Sequence, residues 1–245
     1  MSAISYDVAP VHVREDLPEA HRRAWERLAA PGAWWSGAER VAIAAEVRQA
    51  PRCPLCRERR AALSPMSVEG AHVSLGELSD GVVDVVHRVT TDPGRLSRAW
   101  FEAATADALT DAQYVELIGV LVTVVSIDSF CWALGLSSHP LPKPVAGEPT
   151  HYRPPGAHSE SAWVPMIAES RATGAEADLY LGRRTGNVIR ALSLVPDEVR
   201  TLLDLSAAHY MAPKDMMDFG ARRALDRAQI ELIAGRVSAL NECFY

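Results

Sequence analysis

SGAERVAIAAEVRQAPRCPLC, residues 36–56, is the stretch whose reading decides the fold. Ser36 with Glu39 three residues on forms a capping-box pattern, in which hydroxyl and carboxylate satisfy two otherwise orphaned amides. Behind it, Ala and other strong helix formers run to Gln49, with apolar residues three and four apart. The device recurs at Thr110 with Gln113, which opens a helix of about 24 residues, about 36 Å long, from Asp111 to Leu134, stopped by Gly135. It recurs again at Asp226 with Gln229, before a helix carrying Ile230, Ile233, Ala234 and Val237 on one stripe. Strand-type alternation is scarce, so an all-α fold is expected.

Composition narrows the function classes. The 245 residues carry 25 Lys and Arg against 31 Asp and Glu, a net charge of -6, which argues against nucleic-acid binding through bulk charge. With 48% hydrophobic and 23% charged residues the chain has ordinary globular values, enough for one large core or two smaller ones. The longest apolar run, Leu117 to Ile127, is bracketed by Glu116 and Asp128 and is too short to span a bilayer, so no membrane partner is expected. The N-terminus holds Asp7, Glu15 and Asp16 without an apolar leader, which points to the cytoplasm.

Six of the sixteen prolines fall from Pro140 to Pro155, with Gly147 among them and Gly156 directly after, a density no helix tolerates. The organisation expected is an N-terminal extension (1–30), a first helical unit (31–136), a proline-rich linker (137–161) and a second, C-terminally truncated helical unit (162–245). In each unit a capped, Ala-rich helix leads towards a cysteine, Cys53 or Cys243, which suggests a degenerate internal repeat.

Chemistry is concentrated at Arg52-Cys53-Pro54-Leu55-Cys56-Arg57-Glu58-Arg59-Arg60. At a helix start, spacing of three puts both sulfurs on one face. Helix amides and the charges of Arg52, Arg57, Arg59 and Arg60 favour the thiolate, the nucleophilic form. A redox pair is the leading reading. Half of a structural zinc site is the least favoured of three, because no further C-x-x-C or C-x-x-H is near in sequence and a closed site needs four ligands. An inert pair stands between the two.

The C-terminus, Gln229-Ile230-Glu231 through Asn241-Glu242-Cys243-Phe244-Tyr245, resembles the signature of the alkylhydroperoxidase D-like, carboxymuconolactone decarboxylase-like family. There a glutamate precedes a C-x-x-C pair by about three helical turns and a histidine follows. Glu231 and Cys243 match, and Phe244 and Tyr245 fill the spacer places. Some members carry selenocysteine at the second place, so the resemblance implies a longer selenoprotein with selenocysteine at position 246.

The likeness extends over Ser36–Pro65, over Asp84–Leu96 and over Leu109–Gly135, and the pairing of two such units looks like the alkylhydroperoxidase-related (seleno)protein group. It implies an antioxidant peroxidase with catalytic Cys53, Cys56, Glu231 and Cys243, no cofactor, a hydroperoxide substrate, a thiol or lipoyl-type protein reductant and a homo-oligomeric assembly. In the first unit Cys56 would attack and Cys53 resolve; in the second, Cys243 resolves and Glu231 is the general base.

Two departures weaken the first pair. The family histidine would fall at position 60, where Arg60 stands and no neutral proton acceptor is available. Upstream, Glu39 and Glu46 lie fourteen and seven residues before Cys53, against twelve from Glu231 to Cys243. A non-catalytic helical scaffold and a lactone decarboxylase are the rival readings.

Other residues carry lesser expectations. His87 with Asp84 could form a proton relay or be a satisfied core histidine. Asp128 is expected to meet an arginine such as Arg88, or to line a pocket. Cys131 should be a small buried apolar residue. Trp34, Trp35 and Trp132 are read as packing and subunit contacts, and Arg222, Arg223 and Arg227 as a solvated helix face.

Overall fold

The computed structural model describes residues 4–180, 184–212, 215, 218, 220 and 224–241. Among them are nine α-helices: α1 (Asp16–Ala29), α2 (Gly37–Gln49), α3 (Pro54–Ala61), α4 (Asp80–Thr91), α5 (Arg98–Asp107), α6 (Asp111–Ala133), α7 (Asn187–Arg190), α8 (Pro196–His209) and α9 (Arg227–Leu240). The strands described are two residues each, β1 (Ala157–His158) and β2 (Met166–Ile167), paired antiparallel with Ala157 opposite Ile167. The architecture is mostly helical, as expected. All three capping boxes form, at Ser36–Glu39, Thr110–Gln113 and Asp226–Gln229.

Compact units run Met1–Leu205 and Ser206–Tyr245, so the division does not fall in the proline-rich segment. The reason is hydrogen bonding. The segment is extended, but the Val145 amide donates to the Ala29 carbonyl at 2.8 Å, and the Thr150 and His151 amides donate to Gly32 and Ala33 at 3.2 and 2.7 Å. Beyond it, Val164, Ile167, Leu179, Leu194, Val195 and Val199 bury their side chains in the core that also holds Val47, Leu117 and Val124. The first thirty residues are not an appendage either: Ile4, Tyr6, Ala24, Trp25 and Leu28 belong to that core.

Helix α2 is the spine of the first unit, packing against α1, α4 and α6. Along α6, Ala112, Val115, Leu117, Val120, Val124 and Ile127 are buried. Among the described residues α6 is the helix long and apolar enough to cross a membrane, and it lies largely within this core. It ends where the Leu136 amide donates to the Cys131 carbonyl at 2.9 Å and Gly135 takes φ of 70°, a left-handed cap that glycine adopts without strain.

Polar ties lock the spine to its neighbours. The buried Arg40 guanidinium donates to the Glu116 carboxylate on α6 and, at 2.8 Å, to Glu198 on α8. Glu116 also accepts the Trp34 amide at 2.7 Å. Gly32 permits this approach, since a Cβ there would collide with Glu116 Oε1. Farther along α2, Arg48 forms a two-pronged pair with Asp128 at 2.8 and 2.7 Å, so Asp128 does meet an arginine, but Arg48 in place of Arg88. Arg48 and Asp128 meet because both face the α2–α6 contact, whereas Arg88 on α4 reaches Asp84.

In the second unit, the α9 side chains Leu232, Ile233, Val237 and Leu240 are exposed. Removing Arg40 would strand two buried carboxylates, and breaking such an arrangement costs about 3–5 kcal/mol. Arg40→Ala is therefore expected to lower the stability of the full chain by that amount in urea unfolding. An unchanged midpoint would show that the two glutamates do not depend on it.

Candidate functional site

Helices α2, α3 and α4 of the first unit, with the turn and loop that join them, build the site. Helix α2 ends at Gln49, and a short 3₁₀ turn, Ala50–Arg52, delivers Cys53 as the residue that begins α3, with Pro54 at its first position. Proline is suited there because its missing N–H would have no helical partner. Cys56 follows one turn along, so both sulfurs turn inwards, with Cys53 0% and Cys56 3% exposed. The loop after α3 brings His72 over them, and α4 presents His87 from beneath.

The distances describe a closed cluster. His72 Nδ1 lies 3.6 Å from Cys53 Sγ and 3.5 Å from Cys56 Sγ. His87 Nδ1 lies 3.2 Å from Cys56 Sγ. Both histidines have their far nitrogen on a carboxylate: His72 Nε2 on Asp84 Oδ1 and His87 Nε2 on Glu46 Oε2, each at 2.9 Å. Arg59 adds a donor to Asp84 at 2.7 Å, and the Leu75 amide donates to Glu46 Oε1 at 2.5 Å. The Val73 amide approaches Cys53 Sγ at 3.4 Å.

These contacts set the protonation states. Burial alone would push the Cys56 thiol up, but hydrogen bonds and charge from His72 and His87 outweigh it and bring it down to about 6. Burial likewise raises Cys53, yet the Cys56 and Val73 amides and His72 leave it below the usual thiol value. His72, despite burial, is raised to about 10 by Asp84 and the two sulfurs. Asp84, which burial would raise, is held at about 2 by His72 and Arg59. Against the same burial penalty, Cys56 and Glu46 raise His87. The signs work together. A lowered thiol contributes stability that is lost as pH falls through about 6, and the raised His72 contributes stability that is lost as pH rises through about 10.

The structure rearranges several expectations. Cys53 and Cys56 come together as the spacing predicts. Position 60 does lack a histidine, and Arg60 is exposed, but the acceptor thought absent is supplied from farther along the chain by His72 and His87. Of the two upstream glutamates, Glu39 is used up in the α2 capping box and Glu46 is in the site. His87 forms its relay with Glu46, not Asp84, which turns to His72, Arg59 and Arg88. One turn apart on α4, Asp84 and His87 face different neighbours.

Glu231 is in the second unit, where it accepts from Tyr210 Oη at 2.6 Å and pairs with Arg227 at 2.7 Å. Cys243, Phe244 and Tyr245 lie outside the described residues, as do Arg222 and Arg223. Arg227 is thus an ion-pair partner and not a free cation on a solvated face. Cys131 is buried in the main core, 3.7 Å from Tyr6 Oη, as expected. Trp35 is buried with its indole on the Gln113 carbonyl, while Trp132 is 82% exposed and takes no part in the described core.

His72 is the functional candidate that the sequence did not single out, and Glu46 was named only for its spacing from Cys53. Glu46 had a signal, as a charged residue on the buried stripe of an apolar helix. His72 had none, since it stands in a loop whose path is irregular. No family model, curated protein or solved structure matches the chain.

In the Cys53→Ser chain, treated with chelator and reductant, Cys56 alkylation by iodoacetamide should rise with a midpoint near pH 6 and then level off. His72→Gln should move the midpoint upwards. A midpoint at about 8.5, that of an unperturbed thiol, would contradict the assigned ion pair.

Proposed function

We propose that this chain is a thiol-dependent peroxidase of the alkylhydroperoxidase D-like type, with Cys56 as the attacking group. The observation that carries the reading is the line from Cys56 Sγ to His87 Nδ1 at 3.2 Å and from His87 Nε2 to the buried Glu46 at 2.9 Å, with a second thiol one helical turn before it. A thiol, an imidazole and a carboxylate in series is an arrangement that activates a nucleophile. The family and its specific fold are part of this proposal, supported by a C-x-x-C at a helix start preceded by a glutamate-bearing helix. Glu231 and Cys243 belong to the counterpart pair in the same reading.

In the reaction, the Cys56 thiolate attacks the hydroxyl oxygen of a hydroperoxide and the O–O bond breaks. The leaving alkoxide takes a proton from the imidazolium of His87 or His72 and departs as alcohol, and Cys56 becomes a sulfenic acid. Cys53 then attacks the Cys56 sulfur, releasing water and forming a disulfide. The sulfurs stand within 4.8 Å and close to about 2.05 Å on bonding. A dithiol reductant of the lipoyl type returns two electrons and two protons. Because both sulfurs are buried, this reading requires the site to open locally for peroxide to reach Cys56.

The test is single-turnover reaction of the reduced, chelator-treated full chain with an alkyl hydroperoxide. One peroxide should consume two thiols and leave a Cys53–Cys56 disulfide by mass spectrometry. Cys56→Ser should abolish consumption, Cys53→Ser should stop at a sulfenic acid trapped by dimedone, and Glu46→Gln should slow the step by about 10²-fold or more. Consumption that persists in Cys56→Ser would sink the reading. Failure to react in the folded, reduced wild-type chain would leave the scaffold reading, which burial of both thiols favours.

A further inference from the structure

We infer that Cys53, Cys56, His72 and His87 form a tetrahedral site for a divalent metal ion of the zinc type. The four donor atoms all lie within 4.8 Å of one another. Bonds of about 2.3 Å to sulfur and about 2.0–2.1 Å to nitrogen give a tetrahedron with edges of about 3.3–3.8 Å. The sulfur-to-nitrogen separations of 3.6, 3.5 and 3.2 Å fall on or close to those edges. One ion at the centre would draw the remaining pairs, all within 4.8 Å, onto such edges.

The surroundings match what a metal requires of its ligands. Both histidines turn Nδ1 to the centre and give Nε2–H to a carboxylate, Asp84 for one and Glu46 for the other. Such outer carboxylates fix the tautomer and aim the free lone pair at the ion. Asp84 is itself held by Arg59, and Glu46 by the Leu75 amide, so neither is free to swing in as a competing ligand. Two thiolates balance a divalent cation, and two neutral imidazoles complete a set of two sulfurs and two nitrogens, which selects zinc over magnesium or calcium. Burial of the sulfurs and of His87 leaves little room for solvent. The set combines a C-x-x-C with histidines 16 and 31 residues beyond Cys56, too far apart to read as a local motif.

A four-ligand site has no open position, so its role is structural or regulatory and not hydrolytic. The binding stands on the geometry alone. Its consequence rests on the peroxidase reading: with the ion in place both thiolates are engaged, and the loaded chain is the resting, peroxide-resistant form. Oxidation would remove two electrons from the thiolates as a disulfide. The hydroperoxide takes these with two protons and leaves as alcohol and water, and the ion departs unchanged in oxidation state.

The experiment uses the full chain, reduced and stripped with chelator, titrated with Co²⁺ and then Zn²⁺. One Co²⁺ per chain should bind, with the strong visible bands and thiolate charge-transfer band of a tetrahedral sulfur–nitrogen site, and Zn²⁺ should bleach them. His72→Gln and Cys53→Ser should each weaken binding by more than tenfold, while Cys131→Ala should leave it unchanged. Since His87→Gln strikes a fully buried group, Asp84→Asn serves as the milder variant, expected to cost about 10–100-fold in affinity with helix content intact.

Absence of the tetrahedral spectrum in the folded, reduced chain, or binding indifferent to both His72→Gln and Cys53→Ser, overturns the site. Peroxide assays on stripped and Zn²⁺-loaded protein separate the two proposals. Cys56-dependent turnover without metal binding defeats the metal site alone. Metal binding with an inert stripped chain defeats the peroxidase reading alone. Equal peroxide rates in both forms overturn the protective role.

Discussion

A carboxylate with no exposed surface is the constraint on which the site depends. Glu46 is fully buried on α2, and a polar side chain so placed is tolerated only when its oxygens are occupied by hydrogen-bond partners. One oxygen takes the Leu75 amide and the other His87 Nε2. The first bond ties down the loop between α3 and α4, and with it His72. The second fixes the rotation of the His87 ring so that Nδ1 meets Cys56. A single buried carboxyl group thus orients both histidines towards the thiols.

The same helix carries the other polar fastenings of the first unit. Arg40 reaches into α6 and α8, and Arg48 grips Asp128 while lying over the Trp25 ring at 5.9 Å. Residues 40, 46 and 48 therefore join α2 to its surroundings on several sides, in a core otherwise made of aliphatic contacts. Apolar packing supplies most of the driving force but specifies direction weakly. Buried ion pairs must be satisfied by particular partners, and here that requirement accounts for how α2 is oriented against its neighbours.

The two proposed chemistries can share one geometry because both need the same electronic features. A nucleophilic thiolate and a metal-bound thiolate are each stabilised by adjacent positive charge, supplied by imidazolium in one case and by the ion in the other. The carboxylates on Nε2 serve both, since they hold the rings whether or not Nδ1 carries a proton. His72 and then Arg59 bond to Asp84, and together they outweigh burial and keep the carboxylate ionised beside the cluster.

What the sequence by itself determined is local. Capping boxes act over three residues, helix spacing over four and the C-x-x-C over one turn, so α2, α6, α9 and the Cys53–Cys56 pair were legible without a structure. The mostly helical class followed from them. What only the tertiary structure decided lies across loops. The choice of Glu46 over Glu39, the partner of Asp128, the arrival of His72 and His87 at the sulfurs, and the inclusion of residues 162–205 in the first core all depend on chain closure between distant segments. No spacing rule encodes those meetings, because the loop from α3 to α4 has no periodicity and its path is set by the buried groups it must satisfy.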